Sequence, residues 1–381
     1  MSDRSARVAE AAAGAAPREA GEAAVDVVRT HEEADALPRP PLLVLDPLER
    51  FLDRHGLGEG PLSVEPVGEG HSNLNFLLRR GAERLVLRRP PRPPFSPSAH
   101  DVLREARMLS ALEGMAVRTP AVLATSEDPS VLGVPFYVMA YVEGHVVGAD
   151  TPAPLATPAD RRRIAWELVD ALSELHALRW QDLELERFGR PVGYLERQLR
   201  RFADLWERNR TRALPSLDRV TEWLGRNLPP SPPATIVHGD YRLGNAIFAP
   251  TAPARLRAIV DWEMATVGDP LADLGYLTAT YAEPGDPPNP MGGLCAATTE
   301  EGYPARAELA ARYEQRTGRA VAGLRWYQVL ALWKSAVFLE GSYSRMLAGT
   351  TDDPFFRTLG EGVPQVVAAA EALVEESPPD G

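Results

Sequence analysis

The 381-residue sequence predicts an α+β fold, with a small β-rich lobe followed by a larger, mainly helical lobe. Residues 62–88 alternate between apolar and polar side chains around a Gly81-Ala82 turn, as antiparallel strands do. After Gly144 the apolar residues recur every three or four positions, which is typical of amphipathic helices. A short β-rich block at 235–262 interrupts these helices and contains the most informative polar loop.

The domain boundaries follow from these changes of pattern. Residues 1–41 are small and polar and end in a proline-rich stretch, so we predict a disordered tail there. Residues 42–143 form the predicted β-rich lobe and residues 144–381 the helical lobe. The segment 283–302 is rich in Gly and Pro, has no periodicity, and is predicted to be a loop.

Helical spacing predicts the positions of the helices. They are expected at 46–55, at 99–112, behind a Thr157 cap, at 191–209, before the Pro229–Pro233 break, and at 271–281, 305–317 and 323–348. Further strands are expected at 121–124 and 135–142.

Composition excludes several kinds of protein. A net charge of -12 leaves no surplus of cations to displace counterions from a nucleic acid, so no nucleic-acid partner is expected. A single cysteine, Cys295, excludes an internal disulfide and a cysteine-based zinc cage. The N-terminus lacks the apolar core of a secretory signal, and no stretch has the roughly 18 apolar residues of a membrane span. We therefore expect a cytoplasmic protein without a membrane partner.

The chemistry is concentrated between two apolar runs, Ile236-Val237 and Ala246–Phe248. The loop between them has the pattern H-x-D-x-x-x-x-N, in which Asp240 and Asn245 stand five residues apart. Protein kinases use this spacing to hold a base for the substrate hydroxyl and a Mg²⁺ ligand around one transferring phosphoryl group. We therefore interpret Asp240 as the candidate catalytic residue and Asn245 as a candidate metal ligand.

A second candidate metal ligand, Asp261, ends the next apolar run. Asp and Asn both offer oxygen, which suits Mg²⁺ and does not suit zinc. The alternative is that Asp240 and Asp261 are simply turn-forming or capping carboxylates, as single Asp residues after strands commonly are.

The motifs HGDYRLGN, DWE and GDPLADLGY resemble the signature of the aminoglycoside phosphotransferase/choline kinase group. Within this group, GEGHSNLNFLL, LVLRRPP, REARML, GVPFYVMAYVEG and YEQRTGR with WYQVLALWKSAVFLEGSYSRML resemble the branch of kinase-like domains fused to some acyl-CoA dehydrogenases. The matches cover about residues 45 to 350. The resemblance implies a bilobal protein-kinase-like fold, with ATP and Mg²⁺ as cofactors and a small molecule with a hydroxyl group as acceptor.

The same resemblance implies which residues hold the nucleotide. The Gly68–Asn73 turn would cover the phosphates, although it lacks a complete G-x-G-x-x-G and a plain hairpin turn is the alternative. The backbone at the end of the 138–142 strand would read adenine. The residues implied are Gly70, Ser72, Asn73, Ala140 and Val142.

Where protein kinases carry the lysine of V-A-I-K, this chain has Leu85-Val86-Leu87-Arg88. The only lysine of the chain, Lys334, is far away in sequence. We expect Arg88 to take the phosphate-binding role, with Glu105 as its partner. Strand alternation favours Arg88 over Arg89, and a surface arginine on an edge strand is the alternative. Arginine grips phosphate bidentately, whereas lysine acts as a point charge.

Three further polar residues are predicted to have structural roles. His238 is expected to pack beneath the loop, Asp273 to brace the loop or cap a helix, and His176 to be a partly buried structural histidine.

Three functional hypotheses follow. The first is an active small-molecule kinase acting on a hydroxyacyl-CoA or a related metabolite. The second is a kinase of aminoglycoside or macrolide antibiotics. The third is a pseudokinase that binds nucleotide without catalysis, a hypothesis that the missing lysine supports and that Asp240, Asn245 and Asp261 oppose.

Overall fold

The computed structural model describes residues 26–68, 73–92, 100–349 and 354–376. The chain divides into two compact units. The first contains the residues up to Ala106 together with Val122–Tyr141, and the second contains Arg107–Ala121 and the chain from Val142 onward. The segment 107–121, predicted as part of the β-rich lobe, thus groups with the second unit.

In the described part of the first unit, five strands form one antiparallel sheet in the order β3-β4-β5-β7-β6. They are β3 (Leu62–Val67), β4 (Leu74–Arg80), β5 (Glu83–Arg89), β6 (Val122–Ser126) and β7 (Phe136–Ala140). The alternation seen in the sequence places Leu78, Leu85 and Leu87 in the core of this unit, each at most 3% exposed. Leu78 lies opposite Leu85, and Leu87 lies opposite Val138, so apolar side chains meet across strands.

The predicted disordered tail is wrong for residues 26–41. This segment and the residues after it form β1 (Val27–Val28), α1 (His31–Asp35), β2 (Leu43–Val44) and α2 (Leu45–Arg54). β1 pairs in parallel with β2, and a capping box between Thr30 and Glu33 begins α1. The order of this segment thus depends on one helix cap and one short strand pair, and the amino-acid composition predicts neither of them. Residues 1–25 lie outside the described residues.

The helices of the first unit cover its sheet core. Leu48, Phe51 and Leu52 on α2 are buried in the same apolar cluster as the strand residues. Two further helices are α3 (Val102–Leu112), whose residues from Arg107 belong to the second unit, and α4 (Pro129–Leu132). The amphipathic spacing thus predicts α2 and α3 to within a few residues.

The second unit is mainly helical, as predicted. Its helices are α5 (Pro158–Ala177), α6 (Tyr194–Asn209), α7 (Pro215–Arg226), α8 (Leu271–Thr280), α9 (Pro290–Gly293), α10 (Arg306–Thr317), α11 (Leu324–Leu347) and α12 (Pro354–Glu375). Thr157 caps α5 by accepting a hydrogen bond from the Asp160 N–H at 3.1 Å, as the sequence predicts. No helix in the described residues is long and apolar enough to cross a bilayer.

Two small antiparallel sheets lie among these helices. One has the order β11-β10-β8 and the other pairs β12 with β9. The strands are β8 (His145–Val146), β9 (Thr235–Val237), β10 (Ala246–Phe248), β11 (Leu256–Ile259) and β12 (Thr266–Gly268). Gly144 permits this arrangement because a Cβ atom there would collide with the Phe248 carbonyl oxygen.

Two stretches differ from the sequence-based prediction. The predicted 283–302 loop contains α9 and a 3₁₀ turn, Ala296–Thr299. Asn289 begins α9 by accepting hydrogen bonds from the N–H groups of Met291 and Gly292, each at 3.0 Å. The helix α9 is therefore started by a cap, and it is too short to show the apolar periodicity on which the prediction relied. The helix α12 was not predicted, and it contains Pro364.

The helix α11 is fixed by a buried carboxylate. Glu340 has no exposed surface and accepts hydrogen bonds from the Thr211 N–H and hydroxyl, at 2.9 and 2.7 Å, and from the Arg212 guanidinium at 2.7 Å. Burial by itself raises the pKa of Glu340, but the hydrogen bonds from Arg212 and Thr211 outweigh it and hold the pKa below its usual value. The 209–212 turn and α11 are thereby joined.

We predict that Glu340→Ala lowers the free energy of unfolding by about 3 kcal/mol at neutral pH, because Arg212 loses its buried counter-charge. Because the folded-state pKa of Glu340 is lowered, this contribution is present above its unfolded pKa and is lost as the pH falls through the folded value. Urea unfolding at several pH values measures both effects.

Glu222→Ala is the matched control, because Glu222 pairs with Arg226 one turn along the exposed face of α7. It should cost less than about 0.5 kcal/mol. Equal costs for the two variants would contradict the anchoring role of Glu340.

Candidate active site

The loop between β9 and β10 has a tightly constrained backbone. Gly239 adopts φ +88°, in the left-handed region that favours glycine. A Cβ atom at this position would also come within 2.8 Å of the Met264 carbonyl oxygen. The glycine therefore lets the loop pass close to the segment that precedes β12.

Asp273 braces this loop from α8, which confirms the first of the two roles predicted for it. Its carboxylate is fully buried and accepts hydrogen bonds from the His238 N–H at 2.7 Å and the Gly239 N–H at 2.8 Å. Two backbone donors that precede Asp240 are satisfied by one side chain. The position of Asp240 is therefore set by α8 as well as by its own strands.

His176 supports Asp273 from α5. Its Nε2 lies 3.3 Å from Asp273 Oδ2 and its Nδ1 lies 2.7 Å from the Tyr313 hydroxyl oxygen. Burial lowers the pKa of His176 below its usual 6.5 despite the neighbouring Asp273. The neutral ring satisfies both contacts when Nε2–H donates to Asp273 and Nδ1 accepts from Tyr313. The prediction of a structural histidine is confirmed, with complete rather than partial burial.

His238 packs beneath the loop, as predicted. It is fully buried, and its ring lies 4.7 Å from the Trp262 ring between centroids. Its Nδ1 accepts a hydrogen bond from the Asp240 N–H at 3.3 Å, and its Nε2 lies 3.1 Å from the Val260 carbonyl oxygen. The ring therefore connects the loop to the strand end that carries Asp261.

Asp240 and Asn245 lie in direct contact. Asn245 Nδ2 donates to Asp240 Oδ2 at 2.7 Å and to the Asp240 carbonyl oxygen at 2.8 Å. The other carboxylate oxygen, Oδ1, is buried and has no hydrogen-bond partner within the described residues. Arg242 Nε lies 3.4 Å from it as a counter-charge. Asn245 thus fixes Oδ2, whereas Oδ1 faces only the charge of Arg242 at longer range.

Asp261 is brought beside Asn245 by strand pairing. Ala246 lies opposite Ile259, and the Val260 N–H donates to the Asn245 carbonyl oxygen at 2.9 Å. Asp261 follows with φ +68° and ψ +61°, a left-handed conformation that is unusual for a residue other than glycine. Such conformations concentrate at functional sites, where surrounding structure enforces them.

The donor set at this point suits a hard cation. Asn245 uses its Nδ2 for Asp240, which leaves the amide Oδ1 as the group that can ligate a metal. Together with the Asp261 carboxylate it provides oxygen ligands only, as Mg²⁺ requires. No group of three or more His, Cys, Asp or Glu side chains in the described parts of the chain could hold a metal ion. The residues therefore fit Mg²⁺ and do not form a zinc-type site.

In the first unit, the predicted ion pair between β5 and α3 is present. Arg88 Nε donates to Glu105 Oε2 at 2.7 Å, and both side chains are buried. Arg88 also approaches Asn75 Oδ1 at 3.3 Å. Arg89 differs, because its guanidinium donates to the carbonyl oxygens of Pro90 and Leu42, and burial lowers its pKa to about 10. The structure thus distinguishes the two arginines as strand alternation predicts.

The remaining predicted nucleotide residues are placed as follows. Asn73 is buried just before β4, with Oδ1 3.2 Å from His100 Nδ1. Gly70 and Ser72 lie outside the described residues. Ala140 is the last residue of β7 and lies opposite Leu85, and Val142 is the first residue assigned to the second unit after β7. Their proposed contacts with a nucleotide remain predictions.

Sequence reasoning missed three residues near Asp240. Arg242 faces Asp240, as described above. Tyr276, one turn after Asp273 on α8, is half-buried, and burial followed by the Asp240 charge raises its pKa well above 10. Lys334 lies with Gly239 in the lining of one recess. Helical spacing from Asp273 predicts a residue such as Tyr276, but Lys334 reaches the loop only through tertiary packing.

A family model described as the phosphotransferase enzyme family matches residues 63–310. The chain belongs to this family. A solved structure from Ralstonia eutropha, provisionally assigned as an aminoglycoside phosphotransferase, is 30% identical with a TM-score of 0.75 and covers 88% of this chain and 100% of its own. The aminoglycoside phosphotransferase APH(4)-Ia, in a ternary complex with ADP and hygromycin B, is 14% identical with a TM-score of 0.55 over 86% of this chain and 99% of its own. The predicted protein-kinase-like α+β fold is confirmed.

The curated relatives identify the branch. Mouse acyl-CoA dehydrogenase family member 10 is 33% identical over 309 residues, which is 80% of this chain and 28% of the mouse protein. Human acyl-CoA dehydrogenase family member 11 is 33% identical over 318 residues, which is 81% of this chain and 40% of the human protein. The chain thus spans less than half the length of these relatives. The predicted resemblance to kinase-like domains of acyl-CoA dehydrogenase fusion proteins is confirmed.

We predict that Asp273→Asn loosens the catalytic loop, because one of the two backbone N–H groups then faces an amide NH₂ in place of a carboxylate oxygen. An unsatisfied buried donor costs about 1–3 kcal/mol, so amide hydrogen exchange at 238–240 should become about 10-fold faster or more. Exchange followed by mass spectrometry measures this change.

Thr280→Val is the matched control on the same helix. It removes a buried hydroxyl that donates to the Tyr276 carbonyl oxygen at 3.0 Å and does not contact the loop. Unchanged loop exchange in Asp273→Asn, or equal acceleration in Thr280→Val, would contradict the bracing role of Asp273.

Proposed function

We propose that this member of the phosphotransferase enzyme family transfers the γ-phosphoryl group of ATP to the hydroxyl of a small molecule, with Mg²⁺ required. The observation that carries the proposal is the unequal state of the two Asp240 oxygens. Oδ2 is held by Asn245, whereas Oδ1 is buried without a hydrogen-bond partner in the described residues. A buried oxygen of this kind is costly unless a ligand completes it.

In the proposed reaction, Asp240 Oδ1 accepts the hydrogen bond of the substrate hydroxyl and orients it. The hydroxyl oxygen forms a bond to the γ-phosphorus, the bond from that phosphorus to the β,γ-bridging oxygen breaks, and ADP leaves with that electron pair. The hydroxyl proton passes to Asp240. Bound Mg²⁺ would neutralise the phosphate charge, with Asn245 Oδ1 and Asp261 as its protein ligands.

The nucleotide is proposed to use residues of the first unit together with Val142, the residue at which the second unit resumes after β7. Arg88, held by Glu105, would bind a phosphate oxygen in the role that a lysine has in protein kinases. Gly70, Ser72 and Asn73 would cover the phosphates, and the backbone at Ala140 and Val142 would bind adenine. The buried Arg88–Glu105 pair supports the first of these assignments.

The acceptor is proposed to be a hydroxyacyl-CoA or a related hydroxylated metabolite. The relatives in which this kinase-like region is fused to acyl-CoA dehydrogenases support this class. An antibiotic kinase is the second candidate, supported by the 30% identical Ralstonia structure. A screen of hydroxyacyl-CoA thioesters, aminoglycosides and macrolides, read by the mass increase of one phosphate, distinguishes them. Binding of Mg²⁺-ATP without transfer to any acceptor would favour a pseudokinase.

We predict that Asp240→Asn lowers kcat about 10²- to 10⁴-fold, because the amide cannot accept the hydroxyl proton while it can still accept the Asn245 hydrogen bond. ATP affinity and the melting temperature should change little. Coupled ADP release and calorimetric ATP binding measure these quantities.

Asp204→Asn, on an exposed position of α6, is the matched control and should leave kcat unchanged. Retained turnover in Asp240→Asn would sink the assignment of Asp240. Absence of ATP binding by the wild-type protein with Mg²⁺ present would sink the kinase function itself.

We predict that Arg88→Ala weakens ATP binding about 10-fold or more, because a charge-assisted phosphate contact is lost. The variant also leaves Glu105 buried without its partner, so Arg88→Lys is the second variant. Lysine keeps the charge without the bidentate geometry, and we expect an intermediate ATP affinity.

Arg79→Ala, on the preceding strand, is the control, because Arg79 is 46% exposed and forms only a 3.6 Å pair with Glu65. Titration of each variant with Mg²⁺-ATP gives the affinities. Wild-type affinity in folded Arg88→Ala would show that phosphate binding does not depend on Arg88.

A further inference from the structure

A narrow recess opens beside the Asp240 loop within the second unit. Its lining comes from three helices and the loop backbone, namely Tyr194, Gly239, Ala272, Tyr276, Tyr327, Leu330, Ala331 and Lys334. The recess has room for about one water-sized group. Most of the wall is aromatic or aliphatic, so the Lys334 ammonium is the one cationic group among the residues that line it.

Lys334 faces the recess because of helical spacing. Tyr327, Leu330, Ala331 and Lys334 follow one another at intervals of three, one and three residues on α11, and together form one face of that helix. The anchoring of α11 through Glu340 lies less than two turns further along the same helix. The lysine therefore stands on a rigid element and not on a loop.

The ammonium group of Lys334 has no hydrogen-bond or ion-pair partner among the residues that the structure describes. Its contact is the Phe202 ring, whose centroid lies 4.8 Å from Nζ. A cation–π contact leaves the three N–H donors of an ammonium group unsatisfied. The position is partly buried, so the ammonium group has lost part of its hydration without gaining a protein acceptor, which costs free energy.

The charges that act on Lys334 come from α6, α8 and the Asp240 loop. Arg201 on α6 repels the ammonium, while Asp273 on α8 and Asp240 in the loop attract it. Burial, followed by Arg201, lowers the pKa of Lys334 to about 8. The group is thus a cation at neutral pH that is held with little compensation from the protein.

We propose that Lys334 is an acceptor-binding residue that selects substrates with an oxygen of negative or partially negative charge, either a carboxylate or a thioester carbonyl oxygen. The recess holds that single oxygen against the ammonium, and the acceptor hydroxyl then lies toward Asp240. This inference rests on the proposed phosphotransferase function. It favours hydroxy acids and hydroxyacyl thioesters over polycationic aminoglycosides, which Lys334 and Arg201 repel.

The alternative is that Lys334 only fills space above Phe202. In that case an apolar side chain of similar length serves equally well, and nothing in catalysis depends on the charge. An acceptor-binding lysine and a space-filling lysine predict different results in two measurements, one of stability and one of substrate selectivity.

The first experiment uses the fact that Lys334 is the only lysine of the chain. The full protein is treated with an acylating reagent, and labelling is measured on the peptide that contains Lys334. The side chain of Lys334 and the N-terminus are the only primary amines of the chain, so this peptide reports Lys334 alone. We expect its rate to rise with a midpoint near pH 8, the lowered pKa of Lys334. Added hydroxybutyrate should slow the labelling, and butanediol, which lacks the carboxylate, should not. This readout needs no phosphoryl transfer.

The second experiment compares acceptors that share a hydroxyl but differ in the second oxygen: hydroxy acids of increasing chain length, their CoA thioesters, and the diols of the same length. Lys334→Met should lower kcat/KM for the preferred acids or thioesters about 10- to 100-fold, the loss of one charged hydrogen bond, and leave the diols unchanged. Which of the two classes responds identifies the oxygen as carboxylate or carbonyl.

Stability supplies the last readout. Lys334→Met should raise the melting temperature, because an unpaired desolvated charge is removed and the apolar contact with Phe202 is kept. Arg325→Met removes a cation at the start of the same helix. It should leave substrate selectivity unchanged and should not raise the melting temperature.

The outcomes separate the two proposals. If the wild-type protein phosphorylates alcohols but treats acids, thioesters and diols alike, the role of Lys334 is overturned while the kinase function stands. Labelling that hydroxybutyrate and its CoA thioester both fail to slow also overturns it. If hydroxybutyrate protects Lys334 but no acceptor is ever phosphorylated, the binding role stands and the kinase function fails.

Discussion

The second unit depends on the buried carboxylate of Asp273. It accepts the His238 and Gly239 N–H groups at 2.7 and 2.8 Å and receives His176 from behind. A buried charge of this kind is tolerated only when several donors meet it, and these donors are the backbone groups that lead into Asp240. The same carboxylate therefore fixes the direction of the loop, the tautomer of His176 and the register of α8 against β9. Tyr276, one turn further along α8, takes its position from the same helix.

Much of the site could be predicted because it is local in sequence. The spacing of Asp240, Asn245 and Asp261 between apolar runs fixed their order, and strand pairing then brings Asn245 beside Asp261. Alternation along β5 distinguished Arg88 from Arg89. What could not be predicted depends on long-range contacts or single caps. His176 and Asp273 are 97 residues apart, Lys334 meets the loop from α11, and the order at residues 26–35 rests on the Thr30 cap and one short strand pair.

The two units handle positive charge in different ways. Arg88 is buried against Glu105 with a 2.7 Å contact, so its charge is compensated and its orientation is fixed before any ligand arrives. Lys334 has an aromatic ring and distant carboxylates instead, so in its proposed role the charge is compensated by the oxygen of a bound acceptor. The first arrangement suits a group that always meets the same phosphate. The second suits a group whose task is to discriminate among acceptors, because affinity is gained only from those that supply the missing oxygen.

Three features near the loop oppose folding in the ligand-free chain. Asp261 adopts a left-handed backbone, Asp240 Oδ1 is buried without a hydrogen-bond partner in the described residues, and Lys334 is partly desolvated without a protein acceptor. Each is costly by itself, while the Glu340 anchor stabilises the helix that carries Lys334. A substrate hydroxyl at Asp240, a hard cation at Asp261 and an acceptor oxygen at Lys334 would relieve all three at once. A module that only bound Mg²⁺-ATP would leave Asp240 Oδ1 and Lys334 without a ligand, which supports the proposed phosphoryl transfer over the pseudokinase alternative.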